Sequence, residues 1–287
     1  MNSYTLITDA GCDIPSTLLH RWGVPCVDFT FLFDNDSKIY RNGDLPIHDF
    51  YQYLRDGRTA KTSAANLDTF RSVFEPELRA GQDIIYLGFS SSLSNSSHIA
   101  SIIVQELLQE YPERQIFTLD TLCASAGLGL LVYLCVRQKN SGMNFEAVAD
   151  YARRTAPKIS HWFTVDDLCY LRRGGRISAA VALAGTVLRI KPVMHMADDG
   201  QLLNVSKVRG RKHALQEIAQ HYRETAADPS APYIISHADC LEDATHLETL
   251  VQNISGHKAA FITHISSIIG AHSGPGTLSL YYLGNCR

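Results

Sequence analysis

The stretch FSSSLSNSSHIAS, Phe89 to Ser101, holds seven serines in thirteen residues. Hydroxyls and unpaired backbone amides gathered in one place can hold an anion without a metal; the same composition also makes flexible linkers. The flanks argue for the anion cradle. Asp83–Phe89 (DIIYLGF) is a short apolar run that reads as a buried strand. Beyond the serines, Ile99, Ile102, Ile103, Leu107 and Leu108 recur at helical spacing. A strand, a tight polar turn and a helix leave hydroxyls and free N–H groups at a helix start, where the dipole also favours negative charge.

Three further polar turns follow candidate strands or less defined elements: TDAGCD, KTSAAN and LDTLCASAG. In open parallel sheets, ligands bind outside the carboxyl ends of the strands. Each turn also has a plainer reading. Asp13 or Ser16 would cap a helix in TDAGCDIP, and Asn66 would cap one starting at Leu67. His272, in HSGPG, either orients a hydroxyl or an anion or is a satisfied loop histidine. YLRRGGR sets Arg172, Arg173 and Arg176 around a Gly-Gly pair. They are either a solvated helix end or a contact for a phosphate or a partner, since arginine makes forked bonds to anions. Arg209, Arg211 and Lys212 form a second basic cluster.

Several chemistries are excluded. G-x-x-x-x-G-K-[ST], G-x-S-x-G and H-E-x-x-H are all absent. The histidines do not fall at metal-ligand spacings, and nothing local pairs a nucleophile with a base. Cys12, Cys26, Cys123, Cys135, Cys169, Cys240 and Cys286 form no C-x-x-C pair. They read as free thiols of a cytoplasmic protein rather than a disulfide frame or a zinc site. No secretory leader is expected, and the most apolar stretch, Ala124–Val136, is too short to span a bilayer. With 26 basic and 29 acidic residues, the chain carries no nucleic-acid footprint, which weighs against a regulatory role for the arginine clusters on nucleic acid.

The elements that must position these turns alternate in the first half. Strands are expected at Tyr4–Thr8, Val24–Phe33, Asp83–Phe89 and Gln115–Leu119, with residues 34–45 a polar loop. Helices are expected at Ile14–Trp22, Ile47–Arg55 and Leu67–Leu78, then after the serine turn, and as an apolar helix over Leu122–Val136. That alternation predicts a parallel sheet covered on both faces. The second half predicts a strand at Ile159–Val165 and a short helix over Asp166–Arg173. A hairpin follows with Asp199-Gly200 at its turn, then helices from Arg211 and Leu241, strands at Tyr233–Ala238 and Ala259–Ile265, and a β-rich end. This is an α+β pattern with a mixed sheet, and the boundary falls near Pro157.

In this order, the motifs resemble the DegV family of bacterial fatty-acid-binding proteins, which includes the FakB-like subunits of fatty acid kinase. TDAGCDIP, KTSAAN, SSSLSNSS, LDTLCASAGLG, YLRRGGRIS, KVRGRKHA and HSGPGTL match family segments collinearly over essentially the whole chain. Ala10 stands where the family has Ser, Asn95-Ser96 where it has Gly-Thr, and KTSAAN lacks the family's Gln-Pro. The resemblance implies a two-lobed α/β fold: residues 1–157 as an N-terminal parallel-sheet lobe and 158–287 as a C-terminal lobe with a mixed sheet. It implies one long-chain fatty acid in a buried tunnel, its carboxylate on Thr62 and Ser94, with Ser63, Ser91, Ser92 and His272 in the supporting network. Ser94, neighbouring amides and Thr62 can meet such a carboxylate without a salt bridge, and the Leu122–Val136 helix would be a tunnel wall or ordinary core. No catalytic residue, metal or cofactor is implied. A separate ATP-using kinase subunit would phosphorylate the presented carboxylate for phospholipid synthesis. Arg172, Arg173 and Arg176 are the candidates for docking on it. A stand-alone hydrolase or phosphotransferase using the serine turn is the alternative.

Overall fold

The computed structural model describes residues 3–179 and 190–287. Strands β1 (Tyr4–Asp9), β2 (Cys26–Val27), β6 (Asp83–Gly88) and β7 (Ile116–Asp120) form a parallel sheet in the order β2-β1-β6-β7. Both central strands are buried along their whole length, which is why they read as continuous runs. Alternate residues serve opposite faces. Ile7, Ile84 and Tyr86 pack with Phe70, Phe74 and Leu78 of α3 (Leu67–Arg79) and with Ile103 and Leu107 of α4 (Ser96–Glu110). Leu6, Ile85 and Leu87 pack with α5 (Ala126–Asn140) and α6 (Phe145–Thr155). Helices α1 (Ser16–Trp22) and α2 (Ile47–Arg55) complete this half.

The second sheet contains β8 (Ile159–Thr164), β9 (Ile190–Met196), β10 (Leu202–Arg209), β11 (Ile234–His237), β12 (Phe261–His264) and β13 (Leu278–Leu283). Its order is β10-β9-β8-β13-β11-β12, and only β11 and β12 pair in parallel. One face packs on α8 (Arg211–Thr225) and α9 (Leu241–Ser255) through Trp162, Leu278, Leu280 and Tyr282. The intervening residues His161, Phe163, Ser279 and Tyr281 point the other way, into a cavity. The expected mixed α/β architecture and the β9–β10 hairpin are both present, with Gly200 at φ +79° in its turn.

Several expectations need correction. Lys61, Thr62 and Ser63 are not turn residues; they lie in β5 (Ala60–Ser63), which pairs with β3 (Thr30–Phe33), itself paired with β4 (Tyr40–Arg41) inside the expected loop. The apolar helix begins four residues later than expected, because Leu122 and Ser125 adopt φ of 50° and 52°. Neither Asp13 nor Ser16 caps α1, whereas Asn66 does accept from Thr69 N at 2.8 Å. Helix α6 and the short α10 (Ser267–Ser273) were not expected, so His272 is a helical residue.

Helix α5 is apolar all round because it is packed all round. It touches β1 and β6 of one sheet and β8, β11 and β13 of the other. Gly129 lets it approach the carbonyl of Cys12; a Cβ there would stand 2.7 Å from that backbone oxygen. A backbone atom cannot swing aside, so Gly129→Ala is expected to destabilise the protein by about 1–3 kcal/mol. Denaturant unfolding checks this; an unchanged midpoint would show that the helix has room to shift.

Candidate functional site

The serine turn is wired rather than loose. Asp9, at the end of β1, accepts from Tyr86 Oη at 2.6 Å, Phe89 N at 2.8 Å and Gly11 N at 3.0 Å. Its carboxylate therefore grips the first residue of the turn. Ser90 N donates to Cys123 O and Ser94 N to Ser90 O. Ser91 N reaches Asp120 Oδ1 at 3.1 Å, Ser92 Oγ bonds Asp199 O, and Ser97 Oγ bonds Phe89 O at 2.9 Å. Among the described residues, no serine of this turn is hydrogen-bonded to a histidine.

Beneath the turn lies the cavity, about 1000 Å³ of atom-free space with its open mouth included. Phe29, Phe89, Phe163, Met196, Leu202 and Ile268 supply apolar wall. Thr62, Ser63, Ser94, His272 and Arg176 supply polar groups.

Thr62 Oγ1 and His272 Nε2 lie 2.7 Å apart. Nδ1 of His272 is buried and has no hydrogen-bond partner among the described residues. A bare nitrogen tolerates that setting better than an N–H, since orphaned buried N–H groups are rare. The surroundings therefore assign the proton to Nε2, which donates to Thr62 and leaves the threonine's own proton free. Burial, and secondarily the Arg176 charge, hold the His272 pKa down to about 4. Ser94 Oγ lies 3.0 Å from Ser96 Oγ, and lines the same cavity.

The other expected site residues divide. Ser63 lines the cavity; Ser91 and Ser92 do not, being exposed and bound to the Asp120 side chain and the Asp199 carbonyl. Arg172 and Arg173 are exposed, Arg173 lying over the Tyr170 ring at 4.6 Å. Arg176 parts from them. It turns inward and donates to Leu93 O at 2.8 and 3.2 Å and to Gly174 O. It lines the cavity, and burial pushes its pKa down. Unlike Arg172 and Arg173, it thus stands beside the cavity as a charge whose donors are spent on backbone carbonyls.

His161, Ser125 and Tyr281 also line the cavity and were missed. His161 was visible as a polar interruption of an apolar strand, and Ser125 lies in the LDTLCASAG turn. His161 accepts from Ala124 N at 3.2 Å through Nε2, while Nδ1 contacts Ile159 O at 2.9 Å. That fixes a neutral ring, and burial drives its pKa well down. Among the described residues, no group of His, Cys, Asp or Glu could hold a metal ion, and no helix is long and apolar enough to cross a membrane.

Residues 3–285 match the DegV family, described as "Uncharacterised protein, DegV family". The chain belongs to the DegV family. A DegV domain-containing protein of Clostridium perfringens is 34% identical over 289 residues, covering 100% of this chain and 99% of its own. One from Lactococcus lactis is 33% identical over 280 residues, 97% of each chain. Among solved structures, a DegV protein of Thermus thermophilus described as fatty acid binding is 28% identical. It has a TM-score of 0.86, over 99% of this chain and 100% of its own. A fatty acid binding DegV protein of Streptococcus agalactiae is 26% identical with a TM-score of 0.85, over 100% of both chains.

The protonation of His272 is open to direct measurement in this DegV chain. Its folded pKa of about 4 lies below the ordinary 6.5, so the stability it contributes is complete above pH 6.5 and is lost as the pH falls toward 4. Nitrogen-15 NMR of the ligand-free protein is expected to show a neutral His272 ring with the proton on Nε2 throughout pH 5.5–8. An imidazolium signal at pH 6 would contradict the assignment.

Proposed function

We propose that this DegV protein binds one long-chain fatty acid, with the carboxylate at Thr62 and Ser94 and the acyl chain in the apolar cavity. The observation that carries the reading is an apolar cavity with an oriented Thr62–His272 pair and a neighbouring guanidinium in its wall. That combination suits a molecule with one anionic head and one greasy tail. A buried carboxylate is very costly unless several donors meet it. The fatty-acid-binding relatives at 28% and 26% identity support the same ligand class. At roughly 0.8 kcal/mol per buried methylene, a chain of about fourteen gives roughly 11 kcal/mol before ordering costs, so the tail supplies most of the affinity.

The second step of the proposal is presentation. The sequence lacks a phosphate-binding loop, so a separate ATP-using kinase would phosphorylate the held carboxylate, and the acyl phosphate would feed phospholipid synthesis in the cytoplasm. Residues 1–157 and 158–287 would then act as two lobes meeting on the ligand. Arg172 and Arg173, exposed beside the site, are the docking cations; Arg176 belongs to the cavity instead.

Native mass spectrometry of the purified protein tests the ligand class, the expected result being a retained fatty acid. Thr62→Ala and Ser94→Ala should each lose a bond to a charged group. At roughly 1.5–3 kcal/mol, that weakens binding about tenfold to 150-fold. Unchanged affinity in both single variants would sink the assignment.

Charged rim residues mainly set encounter rate and its salt dependence. The Arg172→Ala, Arg173→Ala double variant is therefore expected to keep its lipid and its melting temperature. It should slow acyl phosphate formation by the partner kinase several-fold at low salt and less at high salt. Full turnover at both salt concentrations would refute the docking role.

A further inference from the structure

With only Arg172 and Arg173 assigned to docking, the rest of YLRRGGR still needs a reason: Leu171 and Arg176 line the cavity, and Gly174 lies against His272. Gly174 has φ −70° and ψ −10°, a conformation open to any residue. Space, not backbone freedom, demands glycine there. A Cβ at this position would overlap Nδ1 of His272 and stand 3.1 Å from its Cγ. The ring cannot simply move away, because its far side is tied to Thr62 at 2.7 Å. One Cα hydrogen of Gly174 occupies the direction of the missing Cβ, so it points at the bare Nδ1.

The contact is reciprocated. Gly274, two residues beyond His272, has φ +78°, and a Cβ on it would lie 2.5 Å from Cδ2 of Tyr170. Tyr170 is itself anchored by a hydroxyl bond to Leu54 O at 3.1 Å. Helices α7 (Cys169–Arg173) and α10 therefore meet glycine-to-ring in both directions. Arg176 closes the segment by bonding the carbonyls of Gly174 and of Leu93 in the serine turn. The Gly-Gly segment thus straps the histidine to the turn that carries Ser94.

We propose that Gly174 is a positioning residue for the carboxylate site: its bare Cα sets the depth and the tautomer of His272, so that Nε2–H donates to Thr62 and the threonine proton is left for the ligand. With the opposite tautomer, Nδ1–H would press against a C–H, Nε2 would take the Thr62 proton, and Thr62 would turn a lone pair toward an incoming anion. The ligand step rests on the fatty-acid reading; the ring contact does not.

The test uses Gly174→Ala in the full chain. In ligand-free protein, nitrogen-15 NMR should show the His272 ring signals displaced and the Nε2–H resonance lost or broadened. Fatty acid affinity should fall at least fivefold, with a smaller loss for the corresponding fatty alcohol. Adding Gly174→Ala to Thr62→Ala should weaken fatty acid binding by less than twofold further, since both act through one hydrogen bond. The stability cost of Gly174→Ala should disappear in a His272→Ala background, where the ring is gone. If Gly174→Ala alone does not fold, folding of the Gly174→Ala, His272→Ala double variant supports the proposal and its failure overturns it. Unchanged ring signals, or a stability cost undiminished without the ring, would also overturn it. A wild-type protein that binds no fatty acid removes the functional reading, while the ring signals and the His272→Ala rescue still decide the role of Gly174.

Discussion

Asp13 is the junction on which the site geometry depends. It is buried, holds φ 49°, and has no salt-bridge partner among the described residues. Its Oδ1 accepts from Ser266 N at 3.0 Å, its Oδ2 from Ser125 Oγ, and its carbonyl from Thr263 Oγ1 at 3.0 Å. Two of those bonds span 253 and 250 positions of sequence. Ser266 is the N-cap of α10, which ends in His272-Ser273, and Ser125 is the N-cap of α5. One carboxylate therefore sets the starting points of α5, whose N-cap lines the cavity, and of α10, whose side chains do. Burial raises its pKa to about 6, against the pull of its serine donors. A carboxylate is kept in such a place only when donors meet its oxygens.

Asp9 applies the same physics four residues earlier. It too is buried and raised to about 6 by desolvation, and its donors come from the 3-10 turn after β1, from β6 and from the serine turn. The two aspartates stand at the carboxyl end of one central strand. Between them they fix the serine turn on one side and α10 on the other. Thr62 and Ser94 arrive from different elements, yet both are set against a frame already satisfied in its hydrogen bonds. The candidate site thus combines a strand residue, a turn and a helix end on one rigid scaffold.

What was legible in the sequence follows from where the physics is local. The strands at 4–9 and 83–88 show as short apolar runs, the helices at 47–55 and 67–79 carry their own periodicity, and the turn signals around Asp199-Gly200 are short-range. His272 was singled out by its HSGPG setting and Thr62 and Ser94 through the resemblance, and all three lie in the wall of one cavity. The failures are contacts between distant segments. Lys61-Thr62-Ser63 looked like a turn because its strand partners, Phe31 among them, are thirty residues away along the chain. His272 looked like a loop residue because α10 is short and its cap is fixed by Asp13, far off in sequence. Arg176 was grouped with its neighbours by spacing. Nothing local shows that its guanidinium turns toward Leu93 while theirs face solvent.

That turn of Arg176 bears on how an anion would be held. A guanidinium is the strongest forked partner a carboxylate can find. Here one edge of the fork, Nε and Nη2, is already committed to Leu93 O, and Nη1 bonds Gly174 O. The group contributes positive charge beside the cavity while its geometry is spent on the backbone. A fatty acid bound as proposed would meet single hydroxyl bonds from Thr62 and Ser94 and a nearby charge, not a bidentate clamp. Interactions that hold the ground state hardest also raise the barrier to the next chemical step. Affinity drawn from the buried tail would carry no such penalty, because the tail would be the same before and after the proposed phosphorylation. A site that binds by the chain and only orients the head is therefore suited to hand its carboxylate on.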